Sequence, residues 1–410
     1  MSLVRTVGFI AVLLCVAAGP AAAQTPLTLP PGSPTLPDAP EQARRGPITI
    51  TPFISVTGEY NDNIFQNNAN KVSDFILGFT PGVSIAVENP IYRLLGSYSF
   101  TAEIYADNEQ LNDAFARQDL RLSGSYRVTP LLTLGLTESF TVANNSNFAS
   151  ADNVSTGRTR STSNTLSPSV TYQYDPRTSL RFTGAWTMLR YDNNGGLDSD
   201  TYSGEIGVNY AFTSRLTGIT GYQISYFDID QSVDTVTHTP RVGASYRFTP
   251  TLTGTLTAGP TFVVPDSGDS TVTASVAASL QQRFSWGGAA LQYDRSVGTA
   301  GGLGGTTVNQ SVGATVQVDR LVRGLVLQFV PRYTNSTSTQ GNAVDIDTFS
   351  VTLQARYEFT RYVAGIAGYT FYAQRSNSSV AAGAGAVAAN DVDQNRLFVG
   401  VQFGYPITID

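Results

Sequence analysis

The chain has 410 residues, of which 14% are charged, 41% hydrophobic and 10% aromatic. The aromatic content argues against disorder, and the net charge of −6 with a pI near 4.9 argues against a nucleic-acid partner. So little charge, with Ser, Thr, Asn, Gln and Gly abundant, is typical of strands that have an apolar outer face and a neutral polar inner face.

The first 23 residues predict a cleaved secretory signal. Arg5 supplies the positive end, residues 7–18 the apolar stretch and residues 21–23 the small-residue cleavage site. Cys15 lies inside this segment, and lipidation there is the less favoured alternative because bulky Leu14 precedes it. The mature chain then has no cysteine, which excludes disulfides, thiolate catalysis and cysteine-based metal sites.

Residues 24–47 predict a periplasmic linker, because their seven prolines favour an extended conformation that cannot pair in a sheet. Residues 48–410 instead alternate polar with apolar side chains and show no helical period. Many of these runs are 11 to 14 residues long. That length suits a tilted strand crossing a bilayer better than a strand of a soluble domain.

A short phrase recurs between the alternating runs, most clearly as Tyr-Arg-Phe-Thr-Pro at residues 246–250. Further copies begin at residues 126, 172, 210, 282, 316 and 357. We interpret it as a tight turn in which Pro presets φ and Thr or Asp bonds the local backbone. Aromatic residues two apart point the same way and would form a ring at a membrane–water interface. The residues expected there are Tyr126, Tyr172, Tyr210, Tyr246, Phe248, Tyr357 and Phe359.

Connections alternate between eight short turns and nine longer polar segments. This asymmetry predicts an all-β, antiparallel, up-and-down transmembrane barrel with short periplasmic turns and long external loops. The count gives about eighteen strands, and sixteen is the alternative if the first or last hairpin is misassigned. The chain continues past Tyr405 through Pro406, whereas barrel chains often end on a strand with a terminal aromatic residue.

Charged residues on the polar faces of the strands are the candidates for the lumen lining. They are Arg121, Arg127, Glu205, Arg241, Arg247, Arg332 and Arg356. A charge facing lipid at the midplane costs about 2–4 kcal/mol, so strand arginines should face inward. Two roles for these inward charges are equally favoured. They either create an electric field across the lumen that selects polar solutes, or form a network of salt bridges that fills the interior. Glu138 falls on the apolar face, where a bulge or an upper-rim position would account for it.

No pattern in the sequence indicates an enzyme, a cofactor or a metal. His238 is the only histidine, and its alternation places it outward near the upper rim, as an interfacial residue rather than a catalytic base. Glu59 with residues 61–63 (Asn-Asp-Asn) lacks the ligand spacing of an EF-hand, so turn formation is favoured over Ca²⁺ binding. The glycine-rich residues 299–305 lack the Lys-Ser/Thr of a phosphate-binding loop.

Several stretches carry a family resemblance. They are residues 58–65 (Gly-Glu-Tyr-Asn-Asp-Asn-Ile-Phe), 72–75, 80–83, 92–94, 105–108 and 126–130. The chain from Thr51 onward resembles the β-barrel porin 2 family of Gram-negative bacteria, with a shorter tract at residues 88–90 and a different C-terminus. The resemblance implies an outer-membrane barrel of unestablished substrate, in a family some of whose members accompany exopolysaccharide gene clusters.

The favoured hypothesis is therefore a passive outer-membrane porin for small hydrophilic solutes, saccharides among them. The alternatives are an exopolysaccharide export component with periplasmic partners, and a plugged structural or adhesive barrel. The expected surroundings are outer-membrane lipid and lipopolysaccharide, and the sequence leaves the oligomeric state open.

Overall fold

The protein, here as a computed structural model, is described over residues 48–144, 154–192, 196–340, 344–377 and 391–409. Its long strands are β1 (Ile48–Asn61), β2 (Asp74–Glu88), β3 (Tyr92–Tyr105), β4 (Asp113–Thr129), β5 (Leu132–Ala143), β6 (Ser161–Gln173), β7 (Thr178–Tyr191), β8 (Ser199–Ala211), β9 (Leu216–Ile229), β10 (Thr235–Arg247), β11 (Leu252–Pro265), β12 (Thr271–Phe284), β13 (Gly287–Thr299), β14 (Thr306–Val318), β15 (Leu325–Ser338), β16 (Asp345–Thr360), β17 (Val363–Ser376) and β18 (Val392–Gly404). Each strand pairs antiparallel with the next, and β1 also pairs with β18. The predicted eighteen-stranded up-and-down barrel is confirmed.

The last strand is interrupted at Pro406. Ile407–Ile409 then resumes antiparallel pairing with the first three residues of β1. Proline has no backbone N–H to donate to the ladder, which accounts for the break. A 3-10 turn at Glu109–Leu111 is the one helical segment that lies wholly within the described residues. No described helix is long and apolar enough to cross a membrane.

The two ends of the barrel differ as the sequence predicts. Eight connections of two to six residues, from β2–β3 to β16–β17, lie at one end, which we call the turn end. Nine connections of five to seventeen residues, from β1–β2 to β17–β18, lie at the other, which we call the loop end. Parts of the loops at residues 145–153, 193–195, 341–343 and 378–390 lie outside the described residues, as do the expected signal and linker at residues 1–47.

Five of the eight short turns share one hydrogen-bond arrangement. The Thr249 hydroxyl accepts from the backbone N–H groups of Thr251 and Leu252 at 3.3 and 3.0 Å. The equivalent acceptors in other turns are Thr129, Thr213, Thr360 and the Asp175 carboxylate. The N–H of Arg177 donates to Asp175 at 2.6 Å and holds the pKa of that carboxyl below its ordinary value. The predicted role of Thr or Asp in the turns is confirmed.

Aromatic residues cover glycines beside these turns. Phe248 packs edge-on against Tyr246, with ring centroids 5.0 Å apart, and its ring also covers Gly254, where a Cβ would lie 2.9 Å from it. The same pairs form at Tyr210–Phe212 over Gly218 and at Tyr357–Phe359 over Gly365. Each glycine follows the turn threonine by five residues, so the repeated unit extends into the next strand. All seven nominated aromatic residues are exposed on the exterior at the turn end.

Polar and apolar side chains separate between the two faces of the sheet. On β2, Phe75, Leu77 and Phe79 point outward and are at least 44% exposed. The alternate residue Thr80 is buried, opposite Ser55 of β1, and Ser55 in turn lies opposite Gln402 of β18. The polar interior therefore continues across the strand pair that closes the barrel.

Candidate functional site

The register places all seven nominated charged residues on the interior face. Arg121 of β4, for example, lies opposite Ser97 of β3 and Ser139 of β5. The others are Arg127 on β4, Glu205 on β8, Arg241 and Arg247 on β10, Arg332 on β15 and Arg356 on β16. They are spread around the wall rather than gathered at one point, and they differ in whether a carboxylate neutralises them.

Glu205 and Arg241 form an ion pair across β9, with 2.7 Å between the carboxylate and the guanidinium. Gly221 lies between them, directly opposite Arg241, and a Cβ there would lie 3.6 Å from the Glu205 carboxylate. The missing side chain leaves the space through which the two charged groups meet. The sequence placed both residues inside but gave no reason to pair them, because they lie 36 positions apart on strands that are not neighbours.

A second group of charges is buried near the closing strands. Arg396 of β18 donates two hydrogen bonds to Glu59 of β1, at 2.7 and 2.9 Å, and the two side chains are 8% and 15% exposed. Arg356 donates to Gln402, and its guanidinium lies 3.8 Å from Glu358. Glu59 is thus engaged by arginine rather than free for a cation. Arg396 was not among the residues predicted to line the lumen, although its position next to the exposed Leu397 in an alternating strand indicates an inward side chain.

Four interior arginines form no ion pair and no side-chain hydrogen bond with any described residue. They are Arg121, Arg127, Arg181 and Arg247. Arg181 of β7, which sequence reasoning missed, lies opposite Thr171 and Gly207 on the interior face. Arg127, Arg181 and Arg247 are exposed and lie toward the turn end. A guanidinium without a protein partner must be hydrated, so water reaches this part of the interior.

The loop end, by contrast, is filled by a buried amide network. Ser155, in the β5–β6 connection, donates its N–H to the Gln374 side chain on β17 at 2.8 Å and accepts from the same side chain at 2.8 Å. Its hydroxyl donates to Gln66 of the β1–β2 loop at 2.5 Å, and Gln66 donates to Gln394 on β18 at 3.3 Å. All four side chains are buried. The β5–β6 connection and the β1–β2 loop are therefore fastened inside the barrel to the wall formed by β17 and β18.

Apolar side chains from further loops pack beside this network. Val154 belongs to one buried cluster with Ala300 and Leu303 of the β13–β14 loop and with Val344 and Ile346 near the start of β16. This cluster joins the β5–β6 connection to the neighbouring β13–β14 and β15–β16 connections and narrows the loop end. The longest loop candidate for a constriction, residues 144–163, contributes Val154 and its successors, while residues 145–153 lie outside the described part.

Glu138 lies on the exterior in the middle of β5. It stands opposite Leu122 of β4 and Leu166 of β6, and the ladder is unbroken on either side of it. Neither a bulge nor a rim position therefore explains its outward direction. It forms no hydrogen bond or ion pair with a described residue, which leaves a carboxyl group against the apolar belt.

Replacing Glu138 by Leu is expected to stabilise the barrel by up to about 2 kcal/mol, because the cost of a carboxyl group facing lipid is removed. The measurement is the unfolding free energy in urea after refolding into lipid vesicles. Leu136→Glu, two residues earlier on the same exterior face, should destabilise in the opposite sense. An unfolding free energy of Glu138→Leu equal to that of the wild type would mean that the Glu138 carboxyl group does not face lipid.

His238 also lies on the exterior, opposite Ile224 and Phe262 and toward the loop end of β10. Its Nδ1 and the Tyr222 hydroxyl are 2.6 Å apart; Tyr222 is exposed and His238 is half-buried. The described residues around it supply no nucleophile and carboxylate arranged as a catalytic triad. No group of three or more described His, Cys, Asp or Glu side chains is placed to hold a metal ion.

A closed antiparallel barrel with an apolar exterior and a polar, charged interior is the architecture of transmembrane β-barrel proteins. No family model and no curated protein matches the chain, so the resemblance to the β-barrel porin 2 family has no confirmation from them.

Solved outer-membrane structures from Pseudomonas are similar to it. The chain is 12% identical to the outer membrane protein OpdK of Pseudomonas aeruginosa, over 87% of this chain and 99% of that one, with a TM-score of 0.42. OpdL of the same species is 11% identical, over 88% and 99%, with a TM-score of 0.44. A BenF-like porin from Pseudomonas fluorescens is 10% identical, over 88% and 99%, with a TM-score of 0.44. Similarity at this level assigns no substrate to the chain.

Proposed function

We propose that the protein is an outer-membrane channel that lets small hydrophilic solutes diffuse through a water-filled, arginine-bearing interior. The observation that carries the proposal is the set of exposed, unpaired interior arginines at the turn end, behind an apolar exterior. Interior charges without protein partners require water, and a barrel of this strand number is wide enough to hold it. Small saccharides are among the solutes that such a neutral-to-basic polar interior would admit.

In this proposal the turn end faces the periplasm and the loop end faces the outside. Residues 1–23 are the export signal and residues 24–47 the periplasmic linker that leads into β1. Charged residues on the wall orient polar solutes, whereas the amides and apolar side chains at the loop end set the width. Selection at that constriction would depend on size and hydrogen bonding, because Gln66, Gln374 and Gln394 carry no charge.

The test is single-channel conductance of the refolded full-length protein in a planar bilayer. Stable steps of porin size would support diffusion through the lumen, and permeation of neutral saccharides of increasing size would then measure the constriction. Silence from protein whose folded state is shown by its heat-dependent gel mobility would contradict the open channel.

Replacing Gln374 by Ala is expected to raise the single-channel conductance, because Ser155 loses both of its hydrogen bonds to this side chain. The β5–β6 connection would then be held less firmly inside the barrel. Gln281→Ala is the matched control, since Gln281 points inward on β12 away from the network. Equal conductance for both variants and the wild type would show that the network does not limit flow.

A plugged structural barrel is the second candidate, and the fully buried amide network at the loop end favours it. In that case Gln374→Ala would create conductance in a protein that is otherwise silent. The two candidates therefore differ in the behaviour of the wild type, whereas both predict an effect of the variant.

A further inference from the structure

Arginine dominates the turn end along the wall from β4 to β10. Arg127, Arg181 and Arg247 lie on its interior face and are exposed. Arg177 and Arg215 occupy the β6–β7 and β8–β9 turns of the same wall. Five guanidinium groups thus follow one arc of the rim.

Backbone hydrogen bonds tie the turn arginines to the neighbouring hairpins. The carbonyl of Arg215 accepts from the N–H of Arg247 at 2.9 Å, so the backbones of these two residues are neighbours across β9 and β10. The carbonyl of Arg177 accepts from the N–H of Ala211 at 2.8 Å. Each turn is thereby attached to the strand beyond it, so the backbone of each turn arginine lies at the rim of this wall.

Carboxylates do not neutralise this arc. In the four turns from β4–β5 to β10–β11, all of them within the described residues, Asp175 is the only acid. Its carboxylate accepts hydrogen bonds from the N–H groups of Arg177 and Thr178 and, at 2.7 Å, from the Thr178 hydroxyl. Glu205, the nearest interior acid on these strands, is paired with Arg241. The guanidinium groups of Arg127, Arg181, Arg215 and Arg247 are left without a described carboxylate partner.

The loop end has the opposite charge. Acids cluster there on and beside β8–β11, at Asp198, Asp200, Asp228, Asp230, Asp234 and Asp266, with Arg190 as their local counter-charge. The barrel is therefore polarised along its axis, negative at the loops and positive at the turns. Such a distribution draws anions to the turn end and repels them from the other.

We infer that the turn-end wall from β4 to β10 is a binding surface for a soluble polyanion that carries several phosphate or carboxylate groups. The inference rests on the proposed function only for its sidedness, which makes the periplasm the side of approach. A polyanion fits better than a single anion, because the arginines are exposed and separate, and each contact in water is weak. When one molecule makes several contacts, their binding free energies add, because the molecule loses its translational and rotational entropy only once.

The first experiment measures binding rather than flow. Inositol hexakisphosphate is titrated into the folded full-length protein in a zwitterionic detergent at low salt, and the heat of binding is recorded. Arg181→Gln with Arg247→Gln should weaken binding at least about fivefold, the effect of losing two exposed charge contacts. Affinity of the wild type should fall steeply between 0.1 and 1 M KCl, over which the Debye length shrinks from about 10 to about 3 Å.

Arg295→Gln with Arg375→Gln is the control for net charge. It removes two positive charges from the exterior face of the loop half of the barrel, where Arg295 bonds Gln310 and Arg375 pairs with Asp393. Its affinity for the probe should equal that of the wild type. Equal weakening by both double variants would reduce the effect to net charge and overturn the inference, as would the absence of wild-type binding at 0.1 M KCl.

A second experiment separates this inference from the channel proposal and identifies the source of the anionic groups. Inositol hexakisphosphate or polygalacturonate is added to one side of a bilayer that contains oriented protein. Block from the turn side alone is expected, and the more effective probe shows whether a small or a polymeric polyanion fits. Binding without conductance would overturn the open channel and keep the surface, whereas conductance without binding or block would do the reverse.

Discussion

Replacing Glu59 by Gln is expected to destabilise the barrel by about 3–5 kcal/mol, because the buried charge of Arg396 would lose the carboxylate to which it donates two hydrogen bonds. The Arg396 side chain is 8% exposed, and the two bonds are 2.7 and 2.9 Å long. The pair joins β1 to β18, so its loss acts on the strands that close the sheet. The measurement is the unfolding free energy in urea for protein refolded into vesicles.

The double variant Glu59→Gln with Arg396→Gln should recover most of the lost stability. Its two amide side chains can hydrogen-bond to each other, and neither of them carries a buried charge. Glu205→Gln is the matched single change, at a pair whose acid is 42% exposed, and its cost should be about 1 kcal/mol or less. Equal costs at the two sites would contradict the burial argument, since solvent would then be screening both pairs alike.

Gly259→Val is expected to be the most damaging glycine substitution on β11. A Cβ at this position would lie 1.8 Å from the carbonyl oxygen of Pro240, which is backbone and cannot turn aside. Pairing between β10 and β11 is interrupted here, between Phe262 and Ala258, because Pro240 has no N–H to donate. Overpacking of a tight site costs about 1–3 kcal/mol or more, and here it would also separate two strands.

Gly204→Val is the control for that substitution. A Cβ at Gly204 of β8 would meet its nearest neighbour, an Ile224 methyl group, at an ordinary 3.8 Å. The yield of folded protein, read from its heat-dependent mobility on gels, should fall sharply for Gly259→Val and remain near that of the wild type for Gly204→Val. Equal yields would show that β10 and β11 can separate without loss of the barrel.

The architecture could be predicted from the sequence, because the signals for it are local. Side chains alternate between the faces of a strand, so a run such as residues 117–128 shows which residues face lipid and which face the interior. The recurring turn, with its Thr or Asp acceptor, marks where each hairpin reverses. Strand number, hairpin order and the unlike ends follow from these two features, and all three agree with the structure.

The pairing of the charges and the filling of the interior could be seen only in the folded barrel. Glu59 meets Arg396 across 337 positions, and Ser155 meets Gln374 across 219. Alternation shows that such residues point inward, but their partners depend on the register of the closing strands and on the path of loops folded into the lumen. Arg121, Arg127 and Arg247 share with Arg241 and Arg356 the same inward alternation in the sequence. Their difference in pairing arises because a carboxylate reaches some positions on the curved wall and not others.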